Sequence, residues 1–105
     1  MDRRRSQRFF VTLEVTVSSR DPFLDFSGCF HTVDVSHNGC RFVAPCPVQH
    51  NARLSLRTPC TDRIATARVV RSIPAVPGPD VNSWLVGVEL DTPGDYWGSA
   101  SLASA

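Results

Sequence analysis

Apolar and polar residues alternate along this chain with a period of two, in one short segment after another. Phe9, Val11, Leu13, Val15 and Val17 fall on one side of an extended run, with Thr12, Glu14 and Thr16 on the other. That pattern predicts a strand over residues 9–17, half buried against a core. Residues 29–36 predict a second strand, with Cys29, His31, Val33 and Val35 opposite Phe30, Thr32, Asp34 and Ser36. Asn38-Gly39 then reads as a tight turn, because glycine, and to a lesser extent asparagine, takes positive φ at low cost. Residues 40–44 return as a third strand, stopped by Pro45 and Pro47.

The second half repeats the theme. Residues 52–57 set Leu54 and Leu56 against Arg53, Ser55 and Arg57, residues 64–73 form a longer strand, and residues 74–82 form a proline-rich loop. In the last strand Trp84, Val86, Val88 and Leu90 alternate with Leu85, Gly87 and Glu89. Thr92-Pro93-Gly94-Asp95 predicts a short helical turn carrying Tyr96 and Trp97, followed by a frayed tail. Six short strands separated by turns make an all-β chain, a small six-stranded antiparallel barrel. The interior of so small a barrel is filled by side chains, so a ligand must bind outside or at a rim.

Composition narrows the function. The 105 residues are enough for one domain with its own core. No run approaches the length of a membrane span, and no signal-peptide cleavage pattern follows the basic start, so membrane insertion is not expected and the cytoplasm is the default location. The four cysteines contain no C-x-x-C pair, which argues for reduced thiols over a zinc site or a disulfide framework. His31, His37 and His50 match no nucleophile pairing or metal-ligand spacing; with a filled interior and no deep cleft, this argues against an enzyme and against a bound cofactor. A net charge of +1 excludes general adhesion to nucleic acid polymers.

The charge is unevenly placed. Every basic residue is arginine, and Arg3, Arg4, Arg5 and Arg8 stand against Asp2 alone at the start of the chain. Arg4 and Arg8 are four positions apart, which in extended chain spans roughly 13 Å. Their planar forks suit phosphate oxygens and the N7/O6 edge of guanine. Asp34 and Ser36 are two apart and so project from one face of the second strand, opposite Val33 and Val35. A carboxylate there can accept from the N1–H and N2–H₂ edge of a guanine, a hydroxyl can donate to a phosphate, and Gly39 allows a sharp turn and close approach of a flat ligand. Each motif also has an ordinary reading, as a solvated basic tail and as turn-forming residues.

Arg4-x-x-x-Arg8 before the first strand, Asp34-x-Ser36-x-x-Gly39 at the end of the second, Arg68-Val69-Val70-Arg71 and the closing Trp84-Leu85-Val86-Gly87-Val88-Glu89-Leu90 occur in one order. Together they resemble the PilZ domain, a bacterial receptor module for cyclic di-GMP, from Arg3 to about Asp91. The resemblance implies a split-barrel type fold. It implies an arm of residues 1–8, a barrel of residues 9–91 and a tail of residues 92–105. It also implies that Arg4 and Arg8 contact guanine Hoogsteen edges and phosphates, that Asp34 holds a guanine Watson–Crick edge, and that Ser36 serves a phosphate. Arg3 fits the position that influences whether one or two nucleotide molecules bind; Arg5 and Arg71 are lesser candidates. The expected chain of events is that the arm orders over the ligand and presents a new surface to a downstream protein. The alternative is a PilZ-like adaptor that has lost nucleotide binding and works through protein contacts. The tail after Trp97 is short of helix formers, where the family usually ends in a clear helix.

Overall fold

The computed structural model describes residues 8–59, 63–76, 78–92 and 97. Six strands are present: β1 (Glu14–Ser19), β2 (Ser27–Val35), β3 (Gly39–Ala44), β4 (Arg53–Arg57), β5 (Ile64–Pro74) and β6 (Trp84–Leu90). They close into a barrel in the order β1-β2-β3-β6-β5-β4, with every neighbouring pair antiparallel. Each strand expected from the alternation exists. The largest change of boundary is in the first, whose ladder begins at Glu14 rather than Phe9. Residues 8–13 still run beside β2, joined to it differently. Phe9 and Val35 exchange two backbone hydrogen bonds of 2.8 and 3.0 Å. Between them and the ladder, the Thr32 hydroxyl donates to the Val11 carbonyl at 2.7 Å and accepts from the Leu13 N–H at 2.9 Å.

The interior is solid, as its size requires. Val15, Val17, Leu54, Leu56, Val69 and Val86 are fully buried, and a column of stacked rings runs through the core, Phe26 on Phe30 at 5.6 Å and Phe30 on Phe42 at 5.1 Å between centroids. Among the described residues no buried side-chain nitrogen or oxygen lacks a hydrogen-bond partner. No helix among them is long and apolar enough to cross a membrane. They hold no cluster of histidine, cysteine or carboxylate side chains suited to a metal.

The inside–outside phase of β2 departs from strict alternation. Phe30 and Thr32 face the core, whereas Val33 is 39% exposed. The register slips between Thr32 and Asp34, opposite Phe42 and Arg41: Val33 is the extra residue of a β-bulge, which shifts the chain by one position. Only beyond it does the expected phase hold, with Val35 inside and Asp34 on the outer face. A second slip in β5, between Val69 and Arg71, turns both Val70 and Arg71 outward.

The Asn38-Gly39 turn also closes differently from expectation. Positive φ among the described residues occurs at Asn51 and Gly78, not at Asn38 or Gly39. Ser36 and Gly39 exchange two backbone hydrogen bonds, Ser36 N–H to the Gly39 carbonyl at 2.8 Å and Gly39 N–H to the Ser36 carbonyl at 3.3 Å, so the turn is centred on His37-Asn38. Gly39 is needed for another reason: a Cβ there would overlap the Val88 carbonyl oxygen and lie 2.9 Å from its carbon. Glycine is what lets β3 pair closely with β6. The expected C-terminal helical turn falls on residues 92–97, most of them outside the described residues; Trp97 itself lies in a turn.

Replacing Gly39 by alanine should destabilise the barrel by about 2 kcal/mol or more, the scale of forced overpacking. Gly87→Ala, whose added Cβ meets nothing closer than 3.7 Å, should be nearly neutral; urea unfolding that ranks the two equally would contradict this assignment. A second outcome concerns the thiols. Burial, and secondarily the charge of Asp34, pushes the Cys40 thiol far above its ordinary range. Cys40 should therefore resist alkylation in the native protein while the exposed Cys29 and Cys46 react, as peptide mapping would read. Because the folded thiol titrates above the unfolded one, its contribution to stability is intact below the ordinary thiol pKa. It is lost as pH rises beyond that, and Cys40→Ala should flatten this alkaline decline.

Candidate ligand-binding site

Asp34 is the centre of the outer wall. It stands directly opposite Arg41 across the β2–β3 pair, so the two side chains share a face. Its Oδ2 accepts from Arg41 Nε at 2.9 Å and also from Arg41 Nη2. Its Oδ1 faces Arg8 Nη1 at 3.4 Å. These two guanidiniums cover the carboxylate so well that Asp34 is 1% exposed, although Arg41 and Arg8 keep 34% and 48% of their side-chain surface. The expectation of an outward carboxylate holds in direction, but the group is buried beneath its partners. The hydrogen bond with Asp34 raises the pKa of Arg41 further above its usual value, against a smaller opposing effect of burial.

Arg8 reaches this point because the Phe9–Val35 backbone pair holds the leading segment alongside β2. Arg3 and Arg4 lie outside the described residues, as does Arg5. Ser36 sits at the corner, with its hydroxyl accepting from the Asn38 N–H at 3.2 Å and its carbonyl accepting from the indole Nε1–H of Trp97 at 2.8 Å. The hydroxyl proton of Ser36 has no acceptor among the described residues, so it can be donated to an incoming group. Arg8, Ser36 and Gly39 together line the mouth of an open cleft of about 530 Å³ on the outer wall.

The cleft runs across β3, β6 and β5, and the ladder registers explain its chemistry. Val43, Leu85 and Ile73 form one row across the three strands, Arg41, Gly87 and Arg71 the next, and Gly39, Glu89 and Arg68 the third. In the first, Leu85 and Ile73 line the cleft and give it an apolar strip against which a flat base can lie. The second carries two cations whose stems flank Gly87. In the third, Glu89 is occupied by Arg68 at 3.0 Å. The cleft therefore offers apolar surface, arginine forks and a hydroxyl within one concavity.

Arg41 and Gly87 were not singled out by sequence reasoning. The signal for Arg41 was present. Centring the two-residue turn on His37-Asn38, rather than on Asn38-Gly39, puts an arginine directly opposite the aspartate.

The two guanidiniums should differ in strength. Arg41 makes two bonds to one buried oxygen, whereas Arg8 lies at the long edge of hydrogen-bond range and is half exposed. Double-mutant cycles on unfolding should give a coupling of about 1–2 kcal/mol for Asp34–Arg41 and less than about 0.5 kcal/mol for Asp34–Arg8, the weaker pair being screened by solvent. Equal couplings would show that Arg8 is as firmly held as Arg41.

Comparison with known proteins agrees with this architecture. The family profile of the PilZ domain matches residues 2–95. Among solved structures, the Bacillus subtilis inhibitor of motility MotI/DgrA is similar in fold, with a TM-score of 0.64 at 19% sequence identity. The alignment covers 99% of this chain and 50% of that one, so the chain spans about half the length of this neighbour. No curated protein sequence matches the chain.

Proposed function

Because the chain belongs to the PilZ domain family, whose members are binding modules rather than enzymes, we propose that its outer cleft is a receptor site for cyclic di-GMP. The observation that carries this reading is the meeting of the leading segment with the Asp34-x-Ser36-x-x-Gly39 corner: two backbone bonds at Phe9 bring Arg8 to 3.4 Å from Asp34, at the mouth of the cleft. Had the arginine leader run along the opposite wall, no such site could form.

The division of labour follows from the hydrogen bonds. Asp34 Oδ2 is committed to Arg41, whereas among the described residues the side chain facing Oδ1 is the loosely held Arg8. A guanine edge can displace Arg8 from Oδ1, its N1–H and N2–H₂ donating to the carboxylate in Arg8's place. Arg8, released, turns its fork to the guanine N7/O6 edge or to a phosphate. Ser36 donates its hydroxyl to a phosphate oxygen, and the backbone at Gly39 lets a flat base come close. Arg4, with Arg3 beside it, completes the grip from the preceding segment, which closes over the ligand about the Phe9–Val35 tie. That ordering is the signal, read by a downstream protein as a new surface.

Isothermal titration tests the reading. Cyclic di-GMP should bind the wild type, and Arg4→Ala and Arg8→Ala should each weaken binding by about 1–3 kcal/mol. The melting temperature should rise with cyclic di-GMP and not with GTP. Equal heats from wild type and the double variant would remove the receptor reading and leave a PilZ adaptor working through protein contacts.

A further inference from the structure

The geometry points to a second oxyanion seat in the same cleft, formed by Arg41 and Arg71 on either side of Gly87 and separate from the leader and the Asp34–Ser36 corner. It rests on the receptor reading above and names the group it takes: a phosphodiester of the ligand.

Gly87 is opposite Arg41 on β3 and opposite Arg71 on β5. A Cβ at Gly87 would lie 3.7 Å from Arg41 Cγ and 3.9 Å from Arg71 Cβ, so the two side chains straddle that one glycine. Val70 Cγ2 lies at 3.9 Å from the same point, so the stems of these side chains cover the buried glycine, and no side chain rises from it between the two arginines, both of which line the cleft. Each cation is set up differently. Arg41 is held by Asp34 through Nε and Nη2, which fixes its plane and leaves Nη1 free of any partner among the described residues. Arg71 has no ion-pair partner among the described residues, although the neighbouring Arg68 has Glu89 at 3.0 Å.

The buried carboxylate of Asp34 accounts for Arg41, but it does not account for Arg71 facing Arg41 across Gly87. Regular alternation would send Arg71 inward; the bulge at Val69–Arg71 sends it out, as bulges beside binding sites re-aim a side chain. An exposed arginine facing another across a bare glycine raises local positive potential, which an oxyanion relieves through charge-assisted bonds from both forks. With no side chain at Gly87 to rise between them, both forks can turn to one tetrahedral group, which a large residue there would hold apart. Asp34 is the positioning group of this seat: it orients Arg41 without itself lying on the cleft surface.

Two titrations decide the matter. In isotope-labelled wild-type protein, inorganic pyrophosphate should shift the Nε–H signals of Arg41 and Arg71 and the Gly87 amide together. Arg71→Gln and Gly87→Leu should abolish these shifts, while Gly87→Ala, which adds only a methyl, should keep them; thermal melting confirms that each variant is folded. If pyrophosphate moves only signals from Arg8 and Ser36, or still shifts Arg41 in Gly87→Leu, the seat is overturned. With cyclic di-GMP as ligand, Arg71→Gln and Gly87→Leu should bind at least about tenfold more weakly than wild type. Equal binding by all three overturns the seat and leaves the receptor reading standing. Pyrophosphate at the arginine row with no binding of cyclic di-GMP supports the seat and overturns the receptor reading.

Discussion

A carboxylate buried on the outside of a barrel is the constraint around which this molecule is arranged. An ionised group removed from water must be compensated, and Asp34 is compensated by Arg41 through two bonds to one oxygen and by Arg8 through a long contact to the other. The first interaction builds the wall. It fastens β2 to β3 through side chains as well as backbone and orients a guanidinium over the cleft. The second is weak and near solvent, so it can be exchanged without disturbing the first. One residue thus holds a firm contact through one oxygen and a loose one through the other.

The rest of the architecture pushes function toward that wall. Stacked phenylalanines and aliphatic side chains occupy the barrel's inside, so recognition has to use the exterior, where regular strands would present only every second residue. Two bulges break that rule, one at Val33 and one at Val70. Both lie on strands flanking the β3–β6 pair, and each sets a charged residue, Asp34 or Arg71, on the outer face just beyond an extra valine. Gly39 and Gly87 complement them by subtraction: the first lets β3 approach the Val88 carbonyl, the second lets the stems of two arginines close over the strand between them. Trp97 closes the corner from the far end of the chain, donating its indole N–H to Ser36, so the turn that faces the cleft is braced from behind.

Much of this was readable along the chain. The period-two alternation of Val15 and Val17, of Leu54 and Leu56, and of Val86, Val88 and Leu90 is a direct imprint of the pleat, because successive side chains in a strand must point to opposite faces. Strand number, the solid interior and the antiparallel class follow from such local patterns and from the prolines and glycines between them. The polar motifs that carry the family likeness are equally local, being short runs of arginine or of aspartate, serine and glycine.

What the linear order left open were facts about residues far apart in sequence. A bulge depends on how two strands settle against each other, so Phe30 and Thr32 turned inward where alternation alone would have sent Val33. The meeting of Arg8 with Asp34 depends on a backbone tie from Phe9 to Val35, and the row Arg41–Gly87–Arg71 depends on registers across three strands. Local propensity fixes which face a side chain takes relative to its neighbours in the chain. Which side chains from other strands share that face is set by closure of the barrel, where many weak pairings are satisfied at once.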